Sequence, residues 1–552
     1  MTLPGIEMLP TPASSDVGDD DRVLDPFASN RLVQHAGAWL MMAMLARFGV
    51  YDVVRDIAVT RERAVDEDSA RVSLDATIAT FAIGEPTLEG VRRLATPTAS
   101  LLLQTPSVPS PDTLRSVMDQ LARDLGAIGF HFRMLRRYLD DDRQQATSEP
   151  GVFYIDNHLR PYTGKRVIRK GWRMQDRRVR PGVSDYYVHD SDGRPLFRID
   201  VPSHDSLPMW MMPIVNQLRT VVGDDDRILL AFDRGGAHPE PMAMLREAGC
   251  EFVTYERAPY PKLAASKFTS EVTFGEGKDA EPLRFVESAR HNLKRGRGRV
   301  RRISVFDPDG RQLNILASST LPAERLIALM RGRWGQENAF KHGNERWGIN
   351  HLDARKVLPV DPDDIVPNPA RRRLDVARRA AGAREGDARN KIARLERKGV
   401  EHDDPRYATF LERIENALSD EEEIDALRPS VPKYARVGDT DLAGKLVKHD
   451  GRRKLMLDTI RIACANAESD LAQMLARTMK RPREAKKLLS NIFRAPAKVR
   501  VGTSSISVDL APAATATEVE SIALFLAEVS RLRLRLPGDP RRRTLRFRSQ
   551  LR

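Results

Sequence analysis

The 552 residues include only two cysteines, Cys250 and Cys464. That is too few for a disulfide framework or a zinc site, so a reducing compartment is expected. A membrane span is missing as well: the most apolar stretch, AGAWLMMAMLARFGVYDVV at 36–54, is interrupted by Arg47 and falls short of the ~20 uncharged residues a span requires. The opening MTLPGIEMLPTPASSDVGDDDRVLD has no basic n-region or apolar h-region, and reads as a disordered lead over 1–30 rather than a secretory signal. No string of the form GxxxxGK[ST] occurs, which removes the phosphate-loop ATPases, and no internal repeat is visible. A soluble, cytoplasmic protein is the expectation.

What the chain does have is positive charge. Ninety Lys and Arg against 77 Asp and Glu give a net +13, which favours a polyanionic partner. Roughly three or four domains are expected from length alone.

Residues 31–149 read as helical, with breaks at Gly84, Pro86 and Pro109 to Pro111. SLDATIATFAIGEPTLEGVRRL fits helix, turn, helix, and SPDTLRSVMDQLA fits a helix with Ser110 as its N-cap. A helix-turn-helix DNA reader and a plain helical packing domain both remain open there. From 150 the periodicity changes to strand, hairpin around Ser191-Asp192-Gly193, helix, strand (ILLAFD), helix closed by Gly249, strand (CEFVTYER), and later a helix. An insertion at about 258–320 contains a hairpin centred on Asp309-Gly310. A proline-rich boundary at 359–373 leads into a charged helical arm over 359–446, and 447–552 reads as a C-terminal helical region with a basic tail. In fold class this is α/β and multi-domain, a catalytic core at 150–358 flanked by helical regions.

Three acids point to chemistry. Asp156 closes VFYID at 152–156, Asp233 closes ILLAFD at 228–233, and Glu337 lies in RGRWGQENAFKHG at 331–343, which reads as helix. Cleaving or transferring a phosphodiester needs an activated oxygen and cations to absorb charge on the attacking and leaving oxygens. Mg²⁺ takes hard oxygen ligands such as carboxylates, and three carboxylates gathered without a cation would repel one another and take up protons. Arg333, Glu337 and Lys341 stand at i, i+4 and i+8 and so share one helix face, which an exposed ion-pair ladder would also explain. Asp185, Asp190, Asp192 and Asp200 read as turn aspartates at hairpin ends. His158 and Arg160, just past Asp156, are candidates for phosphate contact. So are Arg299, Arg301 and Arg302 in the basic run 290–302 and, in the tail, Arg541, Arg542, Arg543, Arg546 and Arg548; a solvated face is the competing reading of both runs.

The strings YIDNHLRPYTGK at 154–165, DYYVHDSDGRPL at 185–196, LLAFDRGGAHPEPMAMLREAGCEFVTYER at 229–257 and RGRWGQENAFKHGNERWGINHLDA at 331–354 together resemble DDE transposases of bacterial insertion sequences, the branch with a β-rich insertion before the catalytic Glu. The resemblance implies an RNase H-like catalytic core, Mg²⁺ (or Mn²⁺), and double-stranded DNA, both element ends and target, as partner. It also implies a homodimer or higher assembly in a synaptic complex, and residence in the bacterial cytoplasm with the nucleoid. By position it makes Asp156, Asp233 and Glu337 the three catalytic, metal-binding acids. The wider group carries Tyr-(2)-Arg-(3)-Glu-(6)-Lys around the last acid; Arg333 and Glu337 fit, whereas Met330 stands at the Tyr position and Asn344 at the Lys position, leaving Lys341 as the alternative cation near the DNA end. Two other readings stay open, a DNA-binding relative without catalysis and an RNase H-fold nuclease without strand transfer.

Overall fold

The switch to period-two patterning at residue 150 becomes a mixed sheet in the computed structural model, which describes residues 31–59, 65–145, 149, 151–173, 176–201, 204–224, 226–274, 281–293, 296–307, 309–332, 341–511 and 515–550. Numbered along the chain, the first strands are β1 (Arg31–Val33), β2 (Val152–Pro161), β3 (Val167–Ile168), β4 (Lys170–Arg173), β5 (Arg178–His189), β6 (Pro195–Val201), β7 (Leu229–Phe232) and β8 (Glu251–Tyr255), then β9 (Ser270–Phe274), β10 (Glu281–Asn292), β11 (Arg299–Phe306) and β12 (Gln312–Ala317), of which all but β1 and β3 form the mixed sheet. The spatial order is β4-β5-β2-β7-β8-β12-β11-β10-β9, with β6 also paired to β5. β2, β7 and β8 run parallel, while β5 is antiparallel to β2 and β6 to β5. Parallel neighbours need crossovers, and the helices Leu207–Val222 and Pro239–Glu247 supply them. Every residue of β7, LLAF, is buried, as a central parallel strand covered on both faces should be.

The insertion is larger than the single hairpin expected. β11 and β12 do pair across the Asp309-Gly310 turn, where Gly310 takes φ +77°, a conformation that suits glycine. All four strands β9 to β12 then continue the central sheet beyond β8. One core cluster unites them: Val152, Tyr154, Leu229 and Ala231 pack with Ile303 and Ile315, under the helix Ala323–Gly332 with its Leu326 and Met330.

Helices from both ends of the chain cover the other side. Ser110 caps Pro111–Leu121 by accepting from Thr113 N at 3.0 Å, as its sequence predicts. The segment that fits helix, turn, helix forms Glu67–Ala82 followed by a 3₁₀ turn, Leu88–Leu94, whose Leu88, Val91 and Leu94 are buried; the first helix buries Leu74, Ile78 and Phe81. Both therefore pack inward. The helix Arg452–Ala476, buried along most of its length, lies against Gly126–Gln145, Pro111–Leu121 and Ala38–Arg47. The short strands β13 (Val357–Pro359), β14 (Ile365–Pro367), β15 (Tyr434–Arg436) and β16 (Leu446–His449) form two small sheets, β13-β16-β3 and β14-β15, and β1 pairs with β17 (Ala497–Val501) in a further sheet of order β1-β17-β18-β19, completed by β18 (Ser505–Leu510) and β19 (Thr544–Ser549). The regions separated above as 31–149 and 447–552 thus share one core.

The basic tail is not a solvated end: Thr544–Ser549, with Arg546 and Arg548, forms β19, parallel to β18, and Arg541 to Arg543 lead into it. Arg543 is buried against Asp539 at 2.8 Å and is not a phosphate contact. In the charged arm the helices Pro369–Arg397 and Pro405–Leu427 pair through Arg378 to Asp425 at 2.7 Å and Arg384 to Asp420. Among the described residues, no helix is long and apolar enough to cross a membrane.

Candidate active site

Side chains alternate along β2: Phe153 and Ile155 enter the helical core, while Val152 and Tyr154 enter the core beneath Ala323–Gly332. Asp156 continues the second set. On β7 the same alternation sends Leu229 and Ala231 to that face, and Asp233, the next in the series, follows directly after the strand. The register pairs Ile155 with Phe232 as the last β2–β7 pair, so Asp156 and Asp233 are neighbours where that parallel ladder ends; Asp233 follows the end of β7, whereas β2 does not stop at Asp156 as expected but continues on β5 to Pro161. Both are half-buried. Asp156 Oδ1 accepts from Asn157 N at 2.9 Å and Asp233 Oδ1 from Gly235 N at 2.9 Å, which fixes one oxygen of each carboxylate against its own backbone.

Glu337 and Arg333 lie outside the described residues, as do Lys294 and Arg295. The chain on either side of Glu337 is placed. Before it, the end of Ala323–Gly332 is tied to the sheet: Tyr154 Oη donates to the Leu329 carbonyl at 2.9 Å and Tyr255 Oη to that of Met330 at 3.2 Å. After it, His158 Nε2 meets Asn350 Oδ1 at 2.6 Å. Burial, the larger effect, lowers His158 to about 4 against the opposing Asn350 bond, so the neutral ring donates from Nε2. Asp156 is therefore bracketed on one strand face by Tyr154 and His158, and these two side chains hold the chain at 329 and at 350. Lys341 is exposed, while His342 and Arg346 are both bound to the buried Glu468, at 2.8 and 3.0 Å.

Several expected DNA contacts are structural instead. Arg160 is fully buried: its Nε lies 2.5 Å from Asp185, and it also binds Asp200 at 2.7 Å. Asp185 and Asp200 are therefore the partners of Arg160 and Arg198 within β5 and β6, not turn residues, because antiparallel register places them opposite one another. Asp190 does hold its turn, accepting from Asp192 N and Arg194 N at 3.0 and 2.8 Å. His158 is buried and committed to Asn350 rather than to phosphate. Arg301 binds Glu287 and the carbonyls of Ser319 and Leu321, and Arg302 pairs with Glu256 at 3.0 Å, so both brace the extended sheet. Arg299 stays exposed, donating to Asn292 Oδ1 at 3.0 Å. Sequence reasoning passed over Tyr154, Tyr255, Asn350 and Glu468; only Tyr154, two residues before Asp156 and hence on its face, carried a signal.

Among the described residues no group of three or more His, Cys, Asp or Glu could hold a metal ion; two carboxylates stand together, with the third candidate outside. What these features define is a mixed α/β protein with an acidic pair where its parallel β2–β7 ladder ends. The family described as transposase protein matches residues 107–503, well over half the chain, and the chain belongs to that family. DNA is accordingly its partner. No curated protein matches it.

Proposed function

We propose that this transposase is of the DDE type, cutting DNA at the ends of a mobile element and joining them to target DNA by in-line phosphodiester chemistry. The observation that carries the proposal is the β2–β7 register, whose last pair, Ile155–Phe232, makes Asp156 and Asp233 neighbours just beyond it, on the face that Tyr154 and His158 connect to the chain on both sides of Glu337. The order β6-β5-β2-β7-β8, with only β2, β7 and β8 parallel, supports an RNase H-like core, and β9 to β12 support a β-rich insertion ahead of the third acid.

The donor set fits Mg²⁺ or Mn²⁺: hard carboxylate oxygens, preoriented by Asn157 N and Gly235 N. Asp156, Asp233 and Glu337 would hold it. Divalent cations there supply charge stabilisation on the attacking and leaving oxygens and lower the pKa of the attacking water or 3′-hydroxyl. The protein's own part is to fix two carboxylates on rigid strands and to anchor the third acid's segment at 329 and 350.

The test is cleavage of an element-end duplex by Asp156→Asn, Asp233→Asn and Glu337→Gln. Each should lose at least about 100-fold in Mg²⁺-dependent cutting, the upper end of what even outer-shell partners of a metal cost, with duplex binding kept. A folded single variant cutting near the wild-type rate removes that residue from the site. Cutting without joining to target would leave a nuclease.

A further inference from the structure

The outward face of the β1-β17-β18-β19 sheet has no part in the proposed site. Alternation buries Val499, Ile506, Val508, Leu545 and Phe547 against the helical core and turns Lys498, Arg500, Ser507, Asp509, Arg546 and Arg548 the other way. Lys498, Arg500, Arg546 and Arg548 are exposed. The register sets them in two rows: Lys498 is opposite Asp509, which is opposite Arg548, and Arg500 is opposite Ser507, which is opposite Arg546. Arg500 pairs with Asp509 at 2.7 Å. One carboxylate thus balances one of four cations, and three positive charges remain on three adjacent strands about 10 Å across. Some basic positions elsewhere are met by acids, as Arg378 is by Asp425 and Arg302 by Glu256. In the second row the short Ser507 side chain stands between Arg500 and Arg546.

We propose that this face binds the phosphate backbone of duplex DNA, away from the candidate active site and without reading sequence. It fits a polyanion by charge, and its groups suit phosphate oxygens rather than base edges. The proposal stands on DNA binding alone, so its failure leaves the metal-dependent reading untouched, and the reverse.

The experiment uses the full chain with K498Q, R500Q, R546Q and R548Q combined, against a control carrying R372Q, R379Q, R394Q and R397Q on the exposed side of Pro369–Arg397. Binding to duplexes of unrelated sequence is measured across a salt series. Each lost phosphate contact lowers the slope of log affinity against log salt by about 0.9, so with Arg500 already held by Asp509 the sheet variant should lose about 2.7 on every sequence while the control keeps the wild-type slope. A second variant, D509N, releases Arg500 and should steepen the slope by up to about 0.9, an outcome that misfolding cannot mimic. Unchanged slopes in the sheet variant and in D509N, or an equal fall in the control, overturn the proposal.

Discussion

Three cations converge on Asp458: Arg198 at 2.6 Å, Lys454 at 2.7 Å and Arg461 at 2.8 Å. Burial by itself would raise this carboxyl, but Lys454, Arg198 and Arg461 outweigh it and hold the group far below the usual range. Asp353, Asp185, Asp200 and Arg160 extend the cluster to four cations and four carboxylates, joining the sheet to the helix Arg452–Ala476. Removing one member leaves its partners charged and dry. Asp458→Asn should therefore cost about 3–5 kcal/mol, read as a lower urea midpoint at unchanged slope; a loss below about 1 kcal/mol would show that the cluster tolerates the imbalance. This cluster is also where single residues were least legible in the sequence. Asp156 and Asp233 could be located because each closes its own apolar run, a local signal. Arg160 looked like a free cation because its partners, 25 and 40 residues away, are brought to it only by strand register.

At the scale of elements, the chain beyond Glu337 is clamped twice onto Arg452–Ala476. Glu468 receives His342 and Arg346, and Arg346 also donates to the carbonyls of Phe81 and Ala82. Farther on, Asp353 binds Lys454 and Arg461. If Glu337 is the third acid, Glu468 positions it without touching DNA or metal. Glu468→Ala should then slow cleavage by about 10–100-fold, the range for residues that orient metal ligands, with duplex affinity unchanged and amide exchange over 341–350 accelerated. Cleavage at the wild-type rate, with E337Q inactive, would confine Glu468 to a structural role. The sequence reveals hairpins and caps well, since Asp-Gly turns and Ser110 act within a few residues. It gives no sign that four strands would extend the sheet past β8, because the join of β12 to β8 pairs residues as distant in sequence as Tyr255 and Ile315.

Over the whole molecule the least legible feature is the closure of the chain, β1 on β17 and the early helices around Arg452–Ala476. Apolar periodicity says that a face is buried but not against what. That joint core carries a pH dependence. His131, buried between the two halves, has Nδ1 2.8 Å from Thr459 Oγ1, while Nε2 accepts from Arg198 N at 3.1 Å. Protonating Nε2 would turn an acceptor toward an N–H donor. Burial first, then the charge of Arg198, lower His131 to about 3, and burial likewise lowers His189 to about 3. A base with a depressed folded pKa gives stability that is present above its unfolded value near 6.5 and is lost as pH falls toward the folded value, because the unfolded chain takes the proton first. The window for His131 is thus roughly pH 6.5 down to 3. Between pH 7.5 and pH 5 it should cost the wild type about 2 kcal/mol, at 1.36 kcal/mol per pH unit. His131→Gln can keep both hydrogen bonds and cannot titrate, so its acid loss should be smaller by that amount. Taking the difference between the two proteins, by urea unfolding at both pH values, cancels every other titrating group, and equal losses in both would mean that His131 is not held neutral in the core.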